Sequence, residues 1–150
     1  AVLAGDGKLY CIPWSHQDVL CIDPAARSVS LLTPEANGIS AALTEDAVSS
    51  EHKWRGGVVA DDGRIYGVPW NADAVLCVDP RDGAATCFGR VPEGGSKWAG
   101  AVLAGDGRVY CVPYDASAVL VIDPARRETS TLGNLGPSRR KYRGGVLAGD

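Results

Sequence analysis

One segment of this sequence is written out three times. Residues 57–80, GVVADDGRIYGVPWNADAVLCVDP, recur from Ala101 as AVLAGDGRVYCVPYDASAVLVIDP and stand from Ala1 as AVLAGDGKLYCIPWSHQDVLCIDP. At Gly145 the same opening returns as GVLAGD. The spacings are 56, 44 and 44 residues, and the longer first unit carries an insertion around Asn37 to Ser50. Self-similarity at a period of this size marks arrays in which each unit buries its apolar face against a neighbour. The repeat units are 1–56, 57–100 and 101–144, with 145–150 opening a fourth.

Inside a unit the apolar residues alternate with period two. The second unit predicts strand a at 57–60, a turn at Asp61-Asp62-Gly63, strand b at 64–68, a loop at 69–73, strand c at 74–78, a turn from Asp79 to Gly83, and strand d at 84–88. Asp-Gly between alternating runs is a hairpin signal, and Asp-Pro followed by Asp-Gly presets the backbone of a turn. Gly and Pro number 19 and 9 of 150 residues, too many for a helical bundle. Four short antiparallel strands per unit is the period of a β-propeller blade. The expected fold is all-β: a partial β-propeller domain over 1–150, with about three four-stranded antiparallel blades plus one extra strand.

The shared pattern, GGV-A-DG-IY-VP---A-VL-IDP, resembles the blades of the NHL, YVTN and streptogramin-lyase-like propellers. The likeness runs through all three units and is a blade-level one. Kelch blades also carry a Gly-Gly pair, but at the end of a different strand. Propellers close with four to eight blades. Three blades therefore imply either a homodimer closing a six-bladed ring or missing blades of a longer parent chain. Both ends of the sequence fall on a strand a, which favours an interrupted array.

Propeller geometry sorts the loops into two faces. The a–b and c–d turns carry Asp6, Asp62 and Asp106, and Asp23, Asp79 and Asp123, read as turn caps. The opposite face gathers Pro13-Trp14, Pro69-Trp70 and Pro113-Tyr114 in the b–c loops. It also gathers Lys53-Trp54-Arg55, Lys97-Trp98 and Lys141-Tyr142-Arg143 in the d–a connections. Aromatic rings beside cations suit stacking on sugars, peptides or bases. The ligand-binding candidates are Trp14, Trp70, Tyr114, Lys53, Lys97, Lys141, Arg55 and Arg143. Trp54, Trp98 and Tyr142 directly precede strand a and read as blade packing. The Gly pairs at 56–57 and 144–145 read as small residues where neighbouring backbones approach.

Catalytic chemistry has few candidates. His16 and His52 are the only histidines, and neither recurs between units. Streptogramin-lyase-like enzymes use His and Glu near the propeller centre with a divalent metal, so the resemblance makes His16, His52 and Glu51 the general acid/base candidates if the protein is an enzyme. The five cysteines form no CxxC pair and exchange with Gly and Val between units, as small buried residues do. Cys11 and Cys21 are candidates to face each other across the b–c hairpin. An odd set without fixed partners, with no signal-peptide pattern at the start, leans toward a reducing, cytoplasmic compartment. Lys and Arg number 15 against 18 acidic residues, a net charge of −3 that argues against nucleic acid. No stretch approaches the roughly 18 apolar residues of a membrane span. The run Ser138-Arg139-Arg140-Lys141 reads as a solvated loop. The expected function is a non-catalytic binding module for a protein, peptide or carbohydrate, with no cofactor. The alternatives are a streptogramin-lyase-like or lactonase-like metal-dependent enzyme and a purely structural repeat.

Overall fold

The alternating runs of each unit form one antiparallel sheet. The computed structural model describes residues 1–35 and 51–148; the insertion expected around Asn37 to Ser50 lies outside them. The first unit gives β1 (Val2–Leu3), β2 (Leu9–Cys11), β3 (Val19–Asp23) and β4 (Ser28–Leu32). The second gives β5 (Trp54–Val59), β6 (Ile65–Pro69), β7 (Ala74–Asp79) and β8 (Ala84–Arg90). The third gives β9 (Trp98–Leu103), β10 (Val109–Pro113), β11 (Val119–Asp123) and β12 (Glu128–Leu132). Each set of four pairs in chain order as an antiparallel meander. Among the described residues there is no helix, and so none long and apolar enough to cross a membrane.

The sheets pack face to face, with the second unit in the middle. Ile65, Leu76 and Val78 point to the first sheet, where they meet Tyr10, Val19 and Cys21. Tyr66, Val68, Val75 and Cys77 point the other way and meet Val109, Cys111, Leu120 and Ile122 of the third. Successive side chains of a strand leave on opposite faces, so two covered faces make β6 and β7 buried throughout. In the outer sheets β2 and β10 keep alternating burial.

Strand a differs from its predicted bounds. It starts at Trp54 and Trp98 instead of at Gly57 and Ala101. Trp54 pairs with Pro69 and Gly57 with Gly67, so three steps on β5 oppose two on β6. This one-residue bulge is taken up by Gly56 at φ 75°, and the same shift in β9 by Gly100 at φ 99°. Gly56 and Gly100 thus serve the bulge. Gly57 serves close packing: a Cβ on it would lie 3.0 Å from Ile12. The extra strand expected from Gly145 joins no ladder over 145–148. A strand a is held by its own strand b, and the b segment of that unit is not among the 150 residues.

The aspartates are turn caps. Asp6, Asp62 and Asp106 each accept a backbone N–H two residues on, and each accepts a tyrosine hydroxyl, from Tyr10, Tyr66 and Tyr110, at 2.8–2.9 Å. Arg64 Nε reaches Asp79 at 2.9 Å and Arg108 Nε reaches Asp123 at 3.4 Å, tying turn a–b to turn c–d. The Arg81 and Arg64 guanidiniums hold the Asp79 carboxyl well below the usual carboxylate range. Hydrogen bonds also lower Asp106 and Asp123, led by the Tyr110 hydroxyl and the Arg126 N–H respectively. A depressed carboxyl contributes stability that is full above its unfolded value. As pH falls below about 4 the unfolded chain takes up the proton first, and stability drops. Asp79→Asn is expected to be less stable at neutral pH and to lose less on acidification, read from urea midpoints at neutral pH and at about pH 2.5.

All five cysteines are free. Tyr10 pairs with Cys21 and Cys11 with Leu20, so Cys11 and Cys21 leave the b–c hairpin on opposite faces and do not meet. Burial pushes the Cys87 thiol up to about 11 and raises Cys77 and Cys111 as well, which disfavours reactive thiolates there.

Candidate ligand-binding face

A hydrogen-bonded belt of main chain crosses the loop face from sheet to sheet. Lys53 donates its N–H to the Trp14 carbonyl at 2.7 Å and accepts from the Trp70 N–H at 2.8 Å. Lys97 repeats this with Trp70 at 2.9 Å and Tyr114 at 2.8 Å, and Lys141 donates to Tyr114 at 2.8 Å. The Lys53 and Lys97 backbones therefore each join the loop of the preceding blade to the loop of their own, and Lys141 bonds the loop before it. The belt alternates lysine with ring-bearing residue, and it fixes where each ring stands.

The lysine side chains are engaged inside this belt. Lys53 and Lys97 are 1% and 3% exposed. Lys53 Nζ donates to the carbonyls of Ser15 and His16, and Lys97 Nζ to those of Asn71 and Gly94. Lys141 Nζ does the same with Asp115 and Ser138. Desolvation lowers the pKa of Lys53 and Lys97, while Asp18 and Asp73 oppose it. The Lys53 and Lys97 side chains thus turn into the belt and away from solvent, while Lys141 is half-buried. Carbonyls converge under the turn, and an ammonium, which only donates, fills that space.

The residue before each lysine is left-handed in all three copies: His52 at φ 64°, Ser96 at 55° and Arg140 at 54°. A side chain one position after the loop aromatic accepts its N–H. The pairs are Ser15 with His52, Asn71 with Ser96, and Asp115 with Arg140. This cap was missed in the sequence. Its signal is Ser, Asn and Asp at one repeat position, the residue types that bond nearby backbone.

The predicted loop aromatics do come together. Trp14 lies 6.0 Å from Trp70 and Trp70 lies 5.0 Å from Tyr114, centroid to centroid. His52 extends the row at 4.7 Å from Trp14. The Arg55 guanidinium stands over Trp70 at 4.4 Å and Trp14 at 5.8 Å. Trp14 is 40% exposed, Tyr114 half-buried and Trp70 buried. Beside them a cleft of about 470 Å³ is lined by Trp70, Ser96, Tyr114, Asp115, Arg139 and Arg140. Trp54 and Trp98 face inward as blade packing, their Nε1 atoms donating to Ala74 and Ala118 carbonyls. Tyr142 and Arg143 are exposed.

The acid/base candidates do not converge on a metal centre. His16 Nδ1 accepts the Asp18 N–H at 3.1 Å. Glu51 is exposed, and its backbone carbonyl accepts from the Asn71 side chain. No group of three His, Cys, Asp or Glu among the described residues is placed to hold a metal ion. The divalent metal implied by the resemblance has no fitting donor set there.

Three meander sheets stacked face to face, with loops gathered on one side, define β-propeller blades. The arrangement is similar to virginiamycin B lyase from Staphylococcus aureus, at TM-score 0.65 and 14% identity over 87% of this chain and 39% of that one. It is also similar to a streptogramin B lyase (TM-score 0.64, 14% identity, 91% of this chain and 39% of that one). A third likeness is to the extracellular domain of a one-component system from B. thetaiotaomicron (0.64, 12%, 89% and 16%). The chain spans about two fifths of the lyases' length, and at these identities the likeness shows the fold. No family model matches the sequence, and no curated protein does either.

Proposed function

We propose that this propeller segment is a non-catalytic binding module whose loop face engages a glycan, peptide or protein ligand. The observation that carries this reading is the row of rings from His52 through Trp14 and Trp70 to Tyr114, with Arg55 set against it. Rings held by a paired backbone are preorganised, which lowers the ordering cost of binding. Trp54 and Trp98 are buried as blade packing, whereas Trp14 is 40% exposed and open to a ligand.

The test is a glycan and peptide array with the wild-type chain and with Trp14→Ala and Tyr114→Ala. Each variant is expected to lose about tenfold or more in affinity for the captured ligand, with a thermal midpoint close to wild type. Undiminished binding by both, or unfolding by both, overturns the reading.

The fold neighbours support a second reading, a streptogramin-lyase-like or lactonase-like enzyme using His16, His52 and Glu51. Against it, the left-handed backbone of His52 is shared with Ser96 and Arg140 and so belongs to the repeat. The enzyme reading expects stabilisation by divalent metal that His52→Ala abolishes.

A further inference from the structure

We infer that the ligand class of this face is an acidic carbohydrate, with sugar rings on the solvent-facing parts of Trp14 and Tyr114, the two rings that the buried Trp70 spaces apart, and carboxylate on the arginines beside them. The inference rests on the binding-face reading and narrows its ligand.

Main chain on this face is already paired. The N–H and C=O groups of Trp70 and Lys97, the C=O of Trp14, and the N–H groups of Lys53, Tyr114 and Lys141 are all used in the belt. A peptide that binds by adding a strand needs free main-chain groups, and that mode is closed here. Here the surface offers ring faces and side-chain ends instead. Sugars suit that supply, with their C–H faces on the rings and their hydroxyls on planar polar groups.

Charge settles the sign. Arg64, Arg81, Arg108 and Arg139 each have an aspartate partner. Among the described residues, the Arg55 and Arg140 guanidiniums have none, as is also true of Arg27, Arg90, Arg126, Arg127 and Arg143; what sets Arg55 and Arg140 apart is their place, Arg55 over the Trp14 and Trp70 rings and Arg140 in the cleft beside Tyr114. Asp115 also lines the cleft, but it is paired with Arg139 at 3.2 Å and accepts the Arg140 N–H at 2.7 Å. The fold does not require these two arginines. The repeat position of Arg55 is Ala99 in the next copy and Arg143 in the one after, and that of Arg140 is His52 and Ser96 in the other two, so each position tolerates a residue without a guanidinium. Guanidiniums next to ring faces bind carboxylate in a planar, two-pronged manner.

The test is calorimetric titration of the whole chain with the trimer of galacturonic acid and with the same trimer as its methyl ester. The acid is expected to bind about tenfold more tightly than the ester at low salt, with the preference shrinking as salt rises. The double variant Arg55→Gln with Arg140→Gln is expected to bind both forms equally while keeping its thermal midpoint within a few degrees. Equal binding of acid and ester by the wild type overturns the acidic class and leaves the ring platform standing. Acid binding that survives Trp14→Ala and Tyr114→Ala but not the double arginine variant overturns the platform. If neither trimer binds, the acidic-sugar assignment is overturned, and the array experiment alone then judges the binding face.

Discussion

Replacing Gly89 by alanine is expected to cost about 4 kcal/mol, while the same change at the corresponding Gly133 costs about 1–2 kcal/mol. Both glycines are left-handed, at φ 65° and 77°. A methyl group at Gly133 would meet open space. At Gly89 it would lie 2.5 Å from Thr129 Cγ2 and 2.9 Å from Thr129 Oγ1, on the neighbouring blade's last strand. Gly133→Ala therefore suffers backbone strain alone, and Gly89→Ala suffers strain plus overpacking between β8 and β12. Urea denaturation of the two variants checks the difference. Thr129→Ala in the Gly89→Ala background is expected to recover about half of the loss, because it removes both clashing atoms. Equal costs at the two positions would contradict this account.

Trp98→Ala is expected to cost about 3–5 kcal/mol. The ring is 1% exposed, packed among Val68, Val75 and Leu120, and its Nε1 bonds the Ala118 carbonyl at 2.9 Å. Removing it opens a cavity beside the middle sheet and orphans that carbonyl. Trp14→Ala is expected to cost within about 1 kcal/mol, since that ring is already 40% in solvent. The two variants should thus separate cleanly: thermal melts move for Trp98→Ala, and ligand binding moves for Trp14→Ala. Trp70 lies between these cases. It is buried yet sits in the row, so its alanine variant is expected to lose both and decides nothing alone.

Much of this was legible along the chain. The period-two runs gave each sheet its four strands, though not where strand a starts, and the repeated aspartates announced turns that the Tyr10, Tyr66 and Tyr110 hydroxyls now cap. Repeating Trp14, Trp70 and Tyr114 after proline marked the row of rings. The lysines were not legible. In a polar connection Lys97 has the signature of a solvent-facing cation, and only the folded turn brings the Asn71 and Gly94 carbonyls to its Nζ. The bulge was hidden for a similar reason. A Gly-Gly pair states that small residues are needed, and the register against β6 shows that the first is needed for its backbone.

The sequence by itself determined the blade: four strands, their turns, and which side of each strand is apolar, because these follow from local alternation and local backbone preference. Tertiary structure decided which apolar sides are covered. Val29 and Leu31 of β4 are 69% and 57% exposed, whereas Ala85 and Cys87 of β8, in the same strand of the next copy, are buried. Three units with one pattern fall in three environments because burial depends on having a neighbour on each face, and only the middle sheet has two. The same holds for the binding face. Each loop encodes its own ring, but the row exists only where adjacent blades bring one loop to the next.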